Sequence, residues 1–251
     1  MTAGEPTLFT FPPSLDSEFS RFVLHHYGLD AREERHVLII QSVVTLLRAG
    51  TPRIPTLVGV GPRTLDQVKL IIDALEATAP PERKLMAGLD LALLDADWLE
   101  FHTTLQTAST VFPYYHLVPR RDLMVRALSE GSPGWEVSAV HHAYPLWAVT
   151  LRVLLRLTAR RAAEALATIR STLTGVEARL SDGRRYLCGD RFTLHDMGFA
   201  VAAAPTIWPD NYGGPLPPLA DTPAPIQQLV QETRARPAGE FAMRIYREHR
   251  S

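Results

Sequence analysis

"FTFPPSLDSEFSRFVLHHYG" (residues 9–28) changes periodicity within a few residues. With the two residues before it, the opening "TLFTF" (7–11) is rich in aromatic residues and threonine and predicts a strand. Two prolines then stiffen a loop. From Leu15 the apolar positions Leu15, Phe19, Phe22 and Val23 fall at i, i+4, i+7 and i+8, which is one face of a helix. Gly28 supplies its stop. Ser14 stands at the mouth of that helix, where its hydroxyl serves either as an N-cap or as a group presented to a ligand.

Outward from this unit the alternation continues. "RHVLII" (35–40) predicts a second, buried strand and "SVVTLLRAG" (42–50) a short helix. "IPTLVGV" (54–60) predicts a third strand, and "LDQVKLIIDAL" (65–75) a helix after the "GPR" turn. The order β-α-β-α-β-(β)-α implies an α/β layer. The adjacent prolines of "EATAPPERK" (76–84) mark a linker, and beyond Leu89 only helical periodicity remains. One helix is expected over 89–109. A second spans 135–157 with a bend at Pro145, and a third spans 159–180 with Thr158 as N-cap and Gly183 beyond its end. A short helix starts at Leu194, an irregular proline-rich stretch covers 205–225, and a last helix covers 238–250. The domains expected are an α/β domain at 1–80, a linker at 81–94 and an all-α domain at 95–251.

Composition narrows the function. Of 251 residues 46% are hydrophobic and 21% charged, the balance of a water-soluble globular chain. The formal net charge of −1 creates no global field that would recruit nucleic acid or an anionic membrane. No apolar run reaches the roughly 18 residues of a membrane helix, and the first residues lack the basic start and apolar core of a secretory signal. The single cysteine, Cys188, excludes an internal disulfide and a CxxC motif. A cytoplasmic protein is expected. The pairs His25–His26 and His141–His142 are neighbours on helices, so their side chains diverge by about 100° and neither has metal-ligand spacing.

Three further stretches carry a resemblance. "RYLCGDRFTLHDMGFA" (185–200) contains Thr193 and Asp196 as a T-x-x-D capping box, with Phe192 and Met197 flanking it and His195 oriented by packing inside it. "RIPTLVGV" (53–60) places a proline at the first residue of a strand, where no ladder donor is needed. "DQVKLIIDAL" (66–75) opens a helix with an amide residue at Gln67. On these motifs, and on the strand–Pro-Pro-Ser–helix opening, essentially the whole chain resembles the glutathione S-transferase superfamily.

The resemblance implies a thioredoxin-like N-terminal domain followed by an all-helical domain, and glutathione as co-substrate. It implies a cis Ile54–Pro55 bond that turns the Ile54 backbone toward the cysteinyl unit of glutathione, a form of strand addition. It also implies a binding set of Pro13, Arg53, Ile54, Pro55, Gln67 and Val68. Position 68 departs from the family pattern, which has Ser or Thr there to grip the γ-glutamyl carboxylate at a helix N-terminus. Val68 keeps the backbone N–H and loses the hydroxyl, a hydrogen bond to a charged group worth about 1.5–3 kcal/mol. Ser14, with Ser17 as its rival, is the hydroxyl expected to hold the glutathione sulfur as thiolate, helped by the helix dipole. No cysteine stands at 12–17, so reduction through a mixed disulfide is disfavoured. The "VFPYYHLVPRR" segment (111–121), expected as a break between helices, offers Phe112, Tyr115 and His116 to a small hydrophobic electrophile, and Trp208 joins them. A homodimer is implied, with Trp98 and Phe101 as candidate contacts. Two rival readings remain: an isomerase or cyclase on the same scaffold that has abandoned glutathione, and a non-catalytic binding protein.

Overall fold

A computed structural model of the chain describes residues 5–250. Its N-terminal third builds strand β1 (Thr7–Thr10), helix α1 (Leu15–Tyr27), strand β2 (Arg32–Arg35), helix α2 (Ile40–Ala49), strand β3 (Thr56–Val58) and helix α3 (Val68–Thr78). β1 lies in the centre, parallel to β2 and antiparallel to β3. The fourth strand is reduced to a bridge between Leu57 and Leu65. Leu8 and Phe9 of β1 are buried with Phe19, Phe22 and Val23 of α1 and Ile71 and Ile72 of α3, and α1 packs on α3. At about 1.5–3 kcal/mol per buried large apolar side chain, this layer supplies most of the unit's stabilisation. The helix expected at 65–75 begins three residues later, because Leu65 is spent on the bridge.

The second strand differs from expectation. It is the charged REER of 32–35, not the apolar run 35–40. β2 is an edge strand, where charge is tolerated, and each carboxylate meets a guanidinium. Glu33 lies 2.8 Å from Arg21 and 3.0 Å from Arg35, and Glu34 bonds Arg48. Within 36–40 only His36 and Val37 are buried, and the chain turns through Ile39, at φ 73°, into α2.

The rest is helical. α4 (Leu91–Asp97), a π-helical stretch (Trp98–Leu105) and α5 (Gln106–Leu117) form one run. They are followed by α6 (Arg121–Ser129), α7 (Gly134–His142), α8 (Tyr144–Leu154), α9 (Ala159–Leu180), α10 (Leu194–Ile207), α11 (Ala224–Arg234) and α12 (Pro237–His249). The expected break at 111–121 is absent up to Leu117, because α5 runs through Pro113. A proline inside a helix costs about 3 kcal/mol. Burial of Val111, Phe112 and Leu117, at about 1.5–3 kcal/mol each, outweighs it. The helix expected over 135–157 is two, parted at Ala143, with Pro145 in the first turn of α8 where a missing N–H costs nothing. α6 and α11 were not anticipated, and α10 reaches Ile207 through Pro205. Thr158 caps α9 as expected, accepting from Arg161 N–H at 3.2 Å.

Two compact units result. The first contains residues up to 83 together with 122–145 and 213–216. The second contains 84–121, 146–212 and the remainder from 217. At the heart of the second lies α10, buried on nearly every side and packed by α5, α11 and α12. Asp196 closes its capping box by accepting from Thr193 N–H at 2.8 Å, and its other oxygen accepts from Leu187 N–H at 2.7 Å. His195 is buried, its Nδ1 2.5 Å from Asp97, which Arg179 also grips through two hydrogen bonds. The motif is therefore a structural anchor of the second unit. No helix among the described residues is long and apolar enough to cross a membrane.

Candidate functional site

The site is built at one end of the three-stranded sheet. β1 and β3 pair with Phe9 opposite Thr56, so extending the register by one residue sets Pro55 beside Thr10, where β1 ends. Leu65 pairs with Leu57, and Pro55 and Gln67 each lie two residues beyond that bridge, which brings the start of α3 to the same end of the sheet. The strand pairing thus brings the Pro12–Ser14 loop, the Ile54–Pro55 dipeptide and the start of α3 to the same end of the sheet, although Val68 is 55 residues beyond Pro13. The Ile54–Pro55 bond is cis, as the resemblance implied.

Ser14 is the N-cap of α1, in extended backbone, and its Oγ accepts from Ser17 N–H at 3.4 Å. Its hydroxyl proton remains available, and the residue is only half-buried. Ser17 has a different place. It is fully buried, and its Oγ accepts from Phe11 N–H at 3.2 Å, which ties the first turn of α1 to the end of β1. Pro13 is half-buried beside Ser14.

Beneath the loop lies a charged network that sequence reading missed. Arg21 of α1 donates to Glu33 at 2.8 Å and to the Pro12 carbonyl at 3.4 Å. Glu18, fully buried, accepts from Gly213 N–H at 2.9 Å, and Arg35 donates to the Gly213 carbonyl at 2.8 Å. Burial pushes the Glu33 carboxyl up. The Arg21 charge, with hydrogen bonds from Arg35, Arg21 and Thr10, outweighs it and holds Glu33 below the usual carboxylate range. The Pro-Pro loop that presents Ser14 is therefore fastened from below by ionised groups.

On the opposite side of the site, Gln67 is the N-cap of α3 and makes no side-chain cap hydrogen bond. Val68 follows as the first helical residue, its side chain buried in the core at 4% exposure. The first-turn N–H groups of a helix have no partner within it, and α3 supplies such groups here. Asp66 is a further residue the sequence did not single out. It accepts from Thr51 Oγ1 at 2.8 Å and pairs with the exposed Arg53 at 3.6 Å, fixing the 51–53 loop to the start of α3. Tyr27 is committed elsewhere, donating to Glu76.

The residues expected around a second substrate all lie in the second unit. Phe112 and Trp208 are core residues there, the Trp208 Nε1–H donating to the Pro217 carbonyl at 2.9 Å. Tyr115 and His116 keep partial exposure, and His116 makes edge contacts with Phe112 and Tyr115. Burial lowers the His116 pKa, so its imidazole is neutral at pH 7. Burial raises the Cys188 thiol, which leaves it protonated and a poor nucleophile near neutrality. Among the described residues no cluster of three metal-ligating side chains occurs.

No protein-family model matches the sequence, and no curated protein matches it. Solved structures do. A glutathione S-transferase from Sinorhizobium meliloti 1021 matches over 95% of this chain and 92% of its own, with 17% identity and a TM-score of 0.56. One from Rhodospirillum rubrum F11 matches over 94% and 91%, with 19% identity and a TM-score of 0.56. A glutathione S-transferase I bound with the ligand lactoylglutathione matches over 96% and 100%, with 16% identity and a TM-score of 0.54. The likeness thus takes in both the small sheet and the helical part, over about 95% of the chain. The chain has the fold of the glutathione S-transferase superfamily, a thioredoxin-like N-terminal domain followed by an all-α domain.

Proposed function

We propose that the protein is an enzyme of glutathione transferase type, which activates the glutathione thiol for attack on, or isomerisation of, a small hydrophobic electrophile. The observation that carries this reading is the convergence of the Ser14 loop, Ile54–Pro55 and the α3 N-terminus at one end of the sheet. A tripeptide laid along the Ile54 backbone has its cysteinyl amide paired there and its γ-glutamyl carboxylate at the α3 first turn. Its sulfur then meets the Ser14 hydroxyl, whose oxygen is engaged by Ser17 N–H and whose proton is free to donate. That hydrogen bond, with the positive end of α1, lowers the thiol pKa and keeps the reactive thiolate oriented. Ser17 acts as scaffold, since its hydroxyl is buried and bonded to the Phe11 backbone. The likeness to a structure bound with lactoylglutathione supports glutathione as co-substrate. Tyr115 and His116, half-exposed and adjacent, are the groups offered to the electrophile. The same reading includes a two-fold homodimer and a cytoplasmic location.

The deciding experiment is calorimetric titration of glutathione paired with turnover of a generic electrophile. Glutathione should bind, and Ser14→Ala should slow conjugation about ten-fold or more near pH 6.5, with the loss shrinking at high pH where the thiol ionises unaided. Full activity of the variant near pH 6.5 would reduce Ser14 to a cap.

A second reading rests on Val68. Its side chain is buried and apolar at the position where the resemblance implies a hydroxyl for the carboxylate, so an isomerase or cyclase that no longer uses glutathione is the rival. Absence of glutathione binding together with turnover of another substrate would favour it.

A further inference from the structure

The second unit carries a groove of about 620 Å³, within the range of small-molecule sites and well beyond the needs of one inorganic ion. It runs along one face of α12, where Glu240, Arg244 and Arg247 recur at i, i+4 and i+7. Arg184 and Arg234 complete the charged lining, and Leu180, Pro237 and Met243 supply apolar walls. Four guanidiniums thus face one carboxylate, in a chain whose net charge is −1.

The four are not equally committed. Arg184 is forked onto Asp182, with contacts from 2.6 to 3.0 Å. Arg244 approaches Glu248 at 3.4 Å, donates to the Arg185 carbonyl, and lies 5.2 Å from both the Tyr186 and Phe241 ring centroids. Arg234 is held by backbone alone, Nε to the Ile207 carbonyl and Nη2 to the Trp208 carbonyl, each at 2.8 Å. Its guanidinium is therefore positioned with no acid to neutralise it. Arg247 is exposed, and among the described residues it has no carboxylate partner. Uncompensated guanidiniums favour doubly charged oxyanions that accept several N–H groups at once, and Arg234 is also held in place.

We propose that this groove is a ligand site for an organic phosphate, a phosphomonoester on an apolar body, with Arg247 binding the phosphate, Arg234 adding a second uncompensated charge to the groove, and Leu180, Pro237 and Met243 holding the body. Glu240 opposes the anion and sets the affinity low enough for exchange. The site lies wholly within the helical unit and does not depend on glutathione chemistry.

The test uses the full chain and 1-naphthyl phosphate as probe, followed by its fluorescence, with 1-naphthol and inorganic phosphate as the neutral and body-less controls. The ester should bind saturably, and each control should bind about ten-fold more weakly or worse. Arg247→Glu should weaken the ester about ten-fold, the scale of a lost charge-assisted contact, while the melting temperature falls by no more than a few degrees, since Arg247 is a last-turn cation of α12 with no side-chain hydrogen bond among the described residues. Glu240→Gln should tighten it several-fold. Arg247→Gln replaces the reversal if that variant folds poorly. The proposal is overturned by equal binding of naphthol, by an unchanged affinity in the Arg247 variants, or by displacement of the probe with saturating glutathione. It is also overturned by failure to saturate at about 10 mM probe, where a site of even millimolar affinity fills.

Discussion

At the scale of single residues, two hydroxyls three positions apart have opposite fates. Ser14 caps α1 from a half-buried loop, whereas Ser17 is sealed against the Phe11 amide. The sequence offered both because both lie in the first turn, and only burial separates them. Val68 poses the complementary question. Val68→Ser should tighten glutathione by up to about 1.5–3 kcal/mol if its backbone amide already faces the γ-glutamyl carboxylate. The gain should appear in KM for glutathione and leave kcat alone, since this group is remote from the sulfur. If the pocket serves another ligand, the new hydroxyl is buried without a partner. Stability then falls by about 1–3 kcal/mol with no gain in affinity, and one titration with one melting curve decides.

Among elements, α10 shows how much a local signal can carry. Its capping box was legible as Thr193-x-x-Asp196, and its burial followed from an apolar run with no polar face. What the pattern did not reveal is that Asp196 also holds Leu187 N–H. Asp196→Ala therefore strands two backbone donors and should cost at least about 2 kcal/mol. Chemical denaturation checks this, and glutathione affinity of the folded fraction should be unchanged. α7 shows the opposite case. Glu136 is fully buried, 2.7 Å from His36 Nδ1 and accepting from Val37 N–H at 2.8 Å. In the sequence it is an unremarkable helix glutamate, a hundred residues from its partners. Glu136→Ala should destabilise the chain by about 3–5 kcal/mol, the range for removing one partner of a buried pair. A loss below about 0.5 kcal/mol, ordinary for a surface change, would show that the pair is not formed.

For the molecule as a whole, pH dependence and self-association follow from the same burial pattern. Burial raises the Asp97 carboxyl, but hydrogen bonds from His195 and Arg179, and their charges, bring it below the usual range. A folded pKa below the unfolded value of about 3.9 means stabilisation present above about pH 4 and lost as pH falls through the depressed value. Asp97→Asn should therefore lower the melting temperature at neutral pH and flatten its decline below about pH 4. Parallel profiles for the two chains, recorded by scanning calorimetry, would remove Asp97 from the account. For the proposed dimer, Phe101 is unavailable. It is 2% exposed and edge-on to Phe199 in the core, and Trp98 stacks on His102. Leu91, Leu93 and Leu99 are the exposed apolar residues of that run. Leu99→Glu should yield a monomer by light scattering without loss of stability, and a dimer that persists unchanged would place the interface elsewhere.

Sequence alone determined what local physics encodes within a turn or two: a hydroxyl at Ser14 and the Gly28 stop of α1, the Thr158 cap of α9 and the box of α10. The order of elements and the family resemblance gave the fold class. It also marked the proline at 55 and the missing hydroxyl at 68. Tertiary structure decided whatever depends on partners far along the chain. The strand at 32–35 is made of charges because Arg21 and Arg48 arrive to neutralise them, and α5 survives Pro113 because its neighbours are buried. Residues 122–145 group with the α/β layer, where Glu136 meets His36. Periodicity measures the exposure a segment ought to have, but the compensation of a buried charge is set by side chains a hundred residues away, and no local window contains them.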